Sequence, residues 1–367
     1  MSWFGGGNSS DSNQPKPLNQ TQWKRIADAA DQGGWIVRDE AIIAEQRGVV
    51  WDLIKQLGQS ITQGVSLTKI AIPVRIAEPR SYLELVTDGW CYAPIFLKQA
   101  AVEMDPVERM KLVITFAIAG LSNTCTPKKP FNPILGETYQ ATFEDGTEIF
   151  CEQTSHHPPI SNWELVGPGN MYTFYGSGEL LASFRGNSIK GHQNGKHYID
   201  FALDGGRIEY HLPEVWVRGI MWGDRIIEYD GTVTFTDKKN NLTAEIRINP
   251  ETGGWFSRKK FPTDYIEGMI WTPSTKNPDQ KVVKSRIEGS WLGCIVFDGQ
   301  QYWSFDQGAK FAAIPVENPL PSDCRYREDL VHLKKGDLDG AQAWKQKLEE
   351  KQRRDAKLRK EAGTASH

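Results

Sequence analysis

The sequence predicts a mainly β protein with added helices, an α+β fold built around a large antiparallel β-barrel. Between residues 137 and about 305, apolar side chains recur at every second position, as they do at Ile199, Phe201 and Leu203. Turns rich in glycine and asparagine separate these runs, which is typical of an antiparallel meander. Because open sheet edges invite aggregation, so many strands favour curling or closure. A large closed barrel need not be filled by its own side chains, so its interior can hold a ligand.

The composition argues against several classes of protein. The chain has 367 residues and a net charge of -3, so no global positive field favours binding to nucleic acid. Its five cysteines form no C-x-x-C pair, which favours a reducing compartment and argues against a structural zinc site. There is no run of about 18 apolar residues that could span a membrane, and residues 1–16 lack the apolar core of a signal peptide. We therefore expect a soluble cytoplasmic protein.

Three segments precede the barrel region. Residues 1–16 are rich in Gly, Ser, Asn and Asp, and residues 1–20 are predicted to be disordered. Residues 21–47 are predicted to form an N-terminal helical segment. Within residues 48–72, apolar side chains at i, i+3, i+4, i+7 and i+11 predict an amphipathic helix. The apolar stripe consists of Val50, Leu53, Ile54, Leu57 and Ile61. Trp51 lies beside it. The pattern alone leaves open a helix docked permanently on the core and a movable lid.

Further helices are predicted at the start of the segment 73–320, which we expect to contain the N-terminal-side helices and the barrel. One helical block runs from Tyr82 to about Ala101. The next helix begins at Asp105 and Pro106, because aspartate is a favoured N-cap and proline is favoured at the first helical position. This helix is apolar on most of its circumference, so we predict that it is buried.

Two proline-stiffened turns flank a predicted hairpin. Lys129 and Asn132 belong to the first turn, KPFNPILGE, and His156 and His157 belong to the second, EQTSHHPP. An Asp-Gly turn between them predicts an antiparallel hairpin, which brings both proline turns to the same open end. Because the prolines fix φ and disfavour helix, the histidines are presented on a stiff turn. Two histidines, an amide and a lysine at one point predict an anion site.

The histidine pair admits three interpretations. A metal site is weakly indicated, because adjacent histidines lack further ligands at suitable spacing. A catalytic base would need a nucleophile and an orienting carboxylate, and no G-x-S-x-G motif occurs in the sequence. Donation from imidazole N–H groups to an anion is the third interpretation. We therefore expect no enzymatic activity, no metal and no cofactor, with a metal-dependent hydrolase as a remote alternative.

The last predicted unit is a helical subdomain over residues 321–367. Its main element is a charged helix, in which Lys345, Glu349 and Arg353 fall at i, i+4 and i+8 on one face. Spacing alone favours a solvated face of salt bridges.

These segments together resemble the oxysterol-binding protein-related family of lipid-transfer proteins. The two proline turns resemble the paired fingerprints of that family, and Asp105–Met110 resembles the pattern ahead of the first. Asp323–Asp329 resembles a later stretch, and the terminal K-x-x-x-E-x-x-x-R helix resembles the family's last helix. The resemblance covers roughly residues 48–360. It implies a short, single-domain member, since no pleckstrin-homology or ankyrin region is expected before it.

The resemblance implies a binding site for a phosphoinositide head group. In the family, the histidine pair contacts the 4-phosphate and the basic members of the terminal helix reach the inositol phosphates, while Glu349 is expected to orient its basic neighbours. The implied head-group residues are Lys129, Asn132, His156, His157, Lys345, Glu349 and Arg353. The resemblance also favours the lid interpretation of the amphipathic helix. The implied lid residues are Trp51, Leu53, Ile54 and Leu57.

The implied function is non-enzymatic lipid transfer by a monomer that contacts membranes peripherally and transiently, including at membrane contact sites. Phosphatidylinositol 4-phosphate and a second lipid, typically a sterol, would occupy one tunnel in turn and be exchanged between two membranes. One alternative replaces the sterol with phosphatidylserine or another phospholipid. Another is a lipid sensor or scaffold without net transport. The sequence carries no motif for the tunnel lining, the two membranes or a recruiting protein.

Overall fold

A 17-stranded antiparallel sheet curves around two helices in the computed structural model, which describes residues 23–57, 63–66, 73–250 and 261–363. The strands, including two that form a small separate sheet, are β1 (Trp35–Ile36), β2 (Gln63–Ser66), β3 (Ala77–Ser81), β4 (Lys129–Phe131), β5 (Thr138–Thr142), β6 (Glu148–His156), β7 (Pro159–Val166), β8 (Tyr172–Arg185), β9 (Ser188–Asn194), β10 (His197–Phe201), β11 (Gly206–Tyr210), β12 (Glu214–Arg218), β13 (Ile226–Asp237), β14 (Leu242–Ile248), β15 (Tyr265–Pro273), β16 (Lys281–Ser290), β17 (Cys294–Phe297), β18 (Gln300–Ser304) and β19 (Ile314–Pro315). The helices are α1 (Glu40–Leu57), α2 (Tyr82–Leu85), α3 (Ala93–Val102), α4 (Pro106–Ala119), α5 (Glu328–Lys334) and α6 (Leu338–Glu361).

The predicted mainly β fold with added helices is confirmed. Strands β5 to β8 form an antiparallel meander, and β13 to β18 continue the sheet in the same manner. Helix α4 contacts β13, β14, β17 and β18, while α3 contacts β8. The helices therefore lie against the inner face of a barrel-like sheet, and the main hydrophobic core includes residues of both the helices and the sheet.

Side chains alternate between the two faces of each strand, as the two-residue period predicts. In β6, Ile149 and Cys151 are buried, whereas Phe150 and Glu152 are exposed. The pattern ends earlier than predicted at one place. Leu203 is 54 % exposed, because β10 ends at Phe201 and the chain turns before β11 begins.

The β8–β9 hairpin extends past β7 at one end of the sheet, while on its other side β12 pairs with β9 as far as Ser188. The last residue of β8 that pairs with β7 is Glu179, and β8 continues to Arg185. At about 3.3 Å per residue this extension is roughly 20 Å long. We call residues 179–194 the overhang. Strand β2 pairs with β8 near its tip and covers part of the edge that β7 leaves free.

Helix α1 lies across the inner face of the overhang. Val50 packs with Phe184 and Ile220 in a separate hydrophobic cluster, and Leu53 and Ile54 pack against the same cluster. The apolar stripe predicted for this helix is therefore its contact face. Leu57 ends α1, but its side chain and Ile61 lie outside the described residues.

The predicted helical segment 21–47 is helical only from Glu40 onward. Asp39 caps α1, since its side chain accepts a hydrogen bond from the Ile42 backbone at 3.0 Å. Before it, Gly33 and Gly34 adopt φ of +101° and +81°. A right-handed helix cannot pass through residues with positive φ, which glycine adopts more readily than other residues. The predicted disordered segment 1–20 lies outside the described residues.

The other predicted helices are confirmed within the described ranges. The Asp105 side chain caps α4 by accepting a hydrogen bond from the Val107 backbone at 2.9 Å. Asp337 caps α6 in the same way, with Gly340 as the donor at 2.9 Å. The block after Tyr82 is divided into α2, a 3-10 turn and α3. Among the described helices, none combines the length and apolarity that crossing a bilayer requires.

Candidate functional site

Lys129 occupies a half-buried position between the small sheet and the C-terminal helix. Strand β4 pairs in parallel with β3, with Lys129 opposite Ala77. Helix α6 is fixed beside this sheet, where the Gln342 side chain accepts a hydrogen bond from the Val74 backbone at 3.3 Å. Burial, with a smaller contribution from the positive charge of Lys345, lowers the pKa of Lys129 to about 8. Within the described part of the chain no carboxylate forms an ion pair with this ammonium group.

His156 and His157 lie where β6 turns into β7. Their ring centroids are 4.6 Å apart. The Nδ1 atom of His156 is buried and has no hydrogen-bond partner among the described residues. Burial and the neighbouring His157 lower the pKa of His156, whereas a backbone hydrogen bond at Pro133 and the charge of Glu349 oppose this shift. His156 is therefore a neutral ring at neutral pH that retains an unused polar atom.

Helix α6 brings its charged face to both turns. Lys345 forms an ion pair with Glu349 one helical turn later, as the i, i+4 spacing predicts. The charge of Lys345 acts on Lys129 and that of Glu349 acts on His156. The pair is not a free solvated face, because the Lys345 side chain is only 16 % exposed. The structure therefore brings together Lys129, His156, Lys345 and Glu349.

Two of the predicted site residues lie at the edge of this cluster. The Asn132 residue is exposed, and its backbone carbonyl accepts a hydrogen bond from Arg327 at 2.9 Å. Arg353 is exposed one turn beyond Glu349 on α6. Both side chains are accessible to a large ligand.

A buried charge network that was not predicted holds the first proline turn. Arg327 donates to the Glu137 carboxylate at 2.7 Å and to the Asp329 carboxylate at 2.8 and 3.1 Å. Glu137 also accepts hydrogen bonds from the Ser81 hydroxyl and, at 3.0 Å, from the Ile134 backbone. Burial raises the pKa of Glu137, and Arg327 opposes this effect. The network joins the proline turn to the C-terminal subdomain. Arg327 also donates a hydrogen bond to the Asn132 carbonyl within that turn.

Helix α1 is tied to the same region through Gln46. The Gln46 side-chain amide donates to the Pro127 carbonyl at 2.5 Å, two residues before Lys129. Its oxygen accepts a hydrogen bond from Arg225, which is buried just before β13. The predicted lid helix therefore contacts both the overhang and the chain that leads into the candidate site.

Comparisons with known proteins support the resemblance seen in the sequence. The family model described as oxysterol-binding protein matches residues 52–315 and 307–367. The chain is 41 % identical to oxysterol-binding protein 9 of Dictyostelium discoideum over 342 residues, covering 89 % of this chain and 79 % of that protein. It is 28 % identical to human oxysterol-binding protein-related protein 5, covering 95 % of this chain and 40 % of that protein.

Solved structures share the fold. The ORD domain of Osh1, in complex with ergosterol, gives a TM-score of 0.70 at 23 % identity and covers 87 % of this chain and 81 % of that one. The ORD of Osh3 from Saccharomyces cerevisiae, in complex with PI(4)P, gives a TM-score of 0.68 at 25 % identity and covers 86 % and 84 % of the two chains. On the family match and the 41 % identity together, this chain belongs to the oxysterol-binding protein family.

Proposed function

We propose that this protein is a non-enzymatic lipid carrier that binds phosphatidylinositol 4-phosphate through the cluster around Lys129. The observation that carries the proposal is a half-buried ammonium group without an ion-pair partner among the described residues. Burying a charge is costly unless an opposite charge is supplied. A phosphate monoester with its charge of about -1.5 to -2 supplies it and accepts several hydrogen bonds.

The remaining residues extend this site around a head group. The unpartnered Nδ1 of His156 offers a further polar contact to the head group. Lys345 is close enough for its charge to act on Lys129, and its ammonium group forms an ion pair with Glu349. Asn132, His157 and Arg353 are exposed around the cluster, where they can reach the inositol ring and its phosphate. Arg353 presents the planar fork that suits a phosphate.

Buried polar groups inside the barrel-like sheet suit a second lipid that carries one hydroxyl. The Tyr82 hydroxyl donates to Gln193 at 3.0 Å, and the Gln193 amide lies 3.3 Å from Nε2 of His197. Burial lowers the pKa of His197 to about 3, so this ring is neutral. Two solved structures of the same fold show the Osh1 ORD domain in complex with ergosterol and with cholesterol. We therefore propose a sterol as the second lipid, held in the same interior and exclusive of the phosphoinositide.

In this account α1 acts as a lid. Its stripe of Val50, Leu53 and Ile54 covers inward-facing side chains of the overhang, and burial of such side chains contributes about 1.5–3 kcal/mol each. Trp51 lies outside this contact and is 45 % exposed. Opening of the lid would uncover this apolar face, which could then be buried in the interfacial region of a bilayer.

Extraction from vesicles tests the phosphate specificity at pH 7 and pH 9. Phosphatidylinositol 4-phosphate should be extracted in preference to phosphatidylinositol or phosphatidylserine, because only the first carries a phosphate monoester. The bound phosphate stabilises charged Lys129 and raises its pKa, so binding takes up a proton above the free value of about 8. The affinity should therefore fall as pH rises above 8, by at most about tenfold per pH unit for one proton. If phosphatidylserine alone were extracted, the proposal that this site binds phosphatidylinositol 4-phosphate would be wrong.

A further inference from the structure

An exposed tryptophan lies at the tip of the loop between β12 and β13. Trp222 is 59 % exposed, although its two predecessors in the loop face the protein. Ile220 is buried with Phe184 and Val50, and Met221 packs against the same cluster. The loop is therefore anchored on the overhang and on α1, while the largest apolar side chain points away from that anchor.

The loop is held rigidly by hydrogen bonds to its backbone. The Asn187 side chain accepts from the Met221 and Trp222 N–H groups at 2.7 and 3.3 Å and donates to the Trp222 carbonyl at 2.9 Å. The Arg225 guanidinium donates to the Gly219 and Ile220 carbonyls at 3.3 Å each. Trp222 is thus presented on a fixed platform, and none of these bonds requires its indole ring.

Helix α1 places a second exposed tryptophan on the same side. Arg47 donates to the Gly223 carbonyl, which fixes this part of α1 beside the loop. Trp51 follows Arg47 by four residues, so both lie on one helix face. Trp51 is 45 % exposed. The two tryptophans therefore lie on neighbouring elements at the end of the sheet that carries the overhang.

We propose that Trp222, with Trp51 beside it, docks the protein on the interface of a lipid bilayer. Tryptophan is enriched at membrane interfaces, because its ring is apolar and its N–H group needs a polar partner. The surrounding charges are mixed, with Arg47 and Lys55 close to Asp52 and Asp224. The surface therefore binds through its aromatic rings, without a requirement for anionic lipid.

The loop that carries Trp222 lies at the end of the barrel that contains the head-group cluster. The inference rests on the proposed function, because a carrier must meet a membrane with the end of the barrel through which lipid passes. The overhang extends past the β6–β7 turn that holds His156 and His157, so a bilayer touched by Trp222 faces the end that contains the head-group cluster. Docking would also bring the bilayer against α1.

Flotation with vesicles tests the inference directly. The vesicles contain phosphatidylcholine alone, so no phosphoinositide recruits the protein. The Trp222→Ala variant should bind these vesicles about tenfold more weakly than the unmodified protein, since the lost side chain contributes apolar burial. Trp222→Phe should retain most of the binding. The control is Leu203→Ala, which should leave vesicle binding unchanged. Leu203 is 54 % exposed and lies in a turn at the opposite end of β8.

Two outcomes would overturn the inference. One is failure of the unmodified protein to bind the vesicles, which would leave the loop as a surface for another partner. The other is equal loss of binding in Trp222→Ala and Leu203→Ala. Failure of the proposed function is recognised separately with a short-chain, water-soluble phosphatidylinositol 4-phosphate. The unmodified protein and Trp222→Ala should bind it equally, and absence of binding in both would contradict the head-group site while vesicle docking could still be measured.

Discussion

Replacing Arg327 with methionine should lower the free energy of unfolding by about 3–5 kcal/mol, because removing one partner leaves buried charges uncompensated. Arg327 is 7 % exposed, and Glu137 and Asp329, which it contacts at 2.7 and 2.8 Å, are 1 % and 0 % exposed. The bond from Arg327 to the Asn132 carbonyl would be lost as well. Urea denaturation measures the change.

The matched control for this prediction is Arg207→Met. Arg207 also pairs with an aspartate, Asp200, at 2.5 Å, but the two side chains are 51 % and 39 % exposed. An exposed ion pair contributes at most about 1 kcal/mol. If Arg327→Met destabilised the protein no more than Arg207→Met, the network would not hold the proline turn in the way described.

The double variant His156→Ala, His157→Ala should fold normally and extract phosphatidylinositol 4-phosphate at least about tenfold less well, because each hydrogen bond to a charged group contributes about 1.5–3 kcal/mol. Folding should persist, since His157 is exposed and His156 is half-buried, so that the hydrogen bond between His156 and the Pro133 backbone is lost at a site that water can reach. Extraction is measured with vesicles that contain the lipid, and thermal unfolding checks the fold.

His192→Ala is the control for the histidine pair. His192 is half-buried on β9 and, like His156, has a buried Nδ1 without a described partner, but it belongs to a different strand. Its removal should leave extraction unchanged. Equal extraction by the double variant and the unmodified protein would refute the assignment of His156 and His157 to the head group.

The two-residue period predicted most of the sheet because alternate burial is a local property of each strand. Which strands extend past their neighbours is not local. Strand β8 pairs with β2, β7, β9 and β10 over different parts of its length. The overhang can therefore be predicted only if the registers of all four pairings are known. The overhang in turn decides where α1 docks, which the periodicity of α1 could not reveal.

In the N-terminal segment, a helix was predicted where the structure has none. Residues 23–30 have a helical pattern, but tertiary contacts hold them in another conformation. Arg25 forms an ion pair with the buried Asp264 at 2.8 Å, and the Ile26 backbone donates to Leu292 at 2.9 Å. These partners are more than 200 residues away in the sequence, so local propensity gave no warning of them.

The candidate site was predictable to the extent that one hairpin forms it. The predicted β5–β6 hairpin correctly brings the two proline turns together, since the Gly136 backbone donates to Gln153 at 2.8 Å. The burial of Lys129 was not predictable, because it depends on how β3 and α6 pack around β4. The Arg327–Glu137 pair was missed for the same reason, and its only sequence signal was the resemblance of the stretch that contains Arg327.

Lipid exchange between two vesicle populations tests the central claim, that one interior serves a phosphoinositide and a sterol in turn. Donor vesicles carry sterol, acceptor vesicles carry phosphatidylinositol 4-phosphate, and the rate of sterol delivery is measured. We expect the acceptor phosphoinositide to accelerate delivery, Lys129→Ala to remove the acceleration while sterol binding persists, and the neighbouring Lys128→Ala to leave it in place. A delivery rate that does not respond to phosphatidylinositol 4-phosphate in the acceptor would contradict the exchange of two lipids through one site.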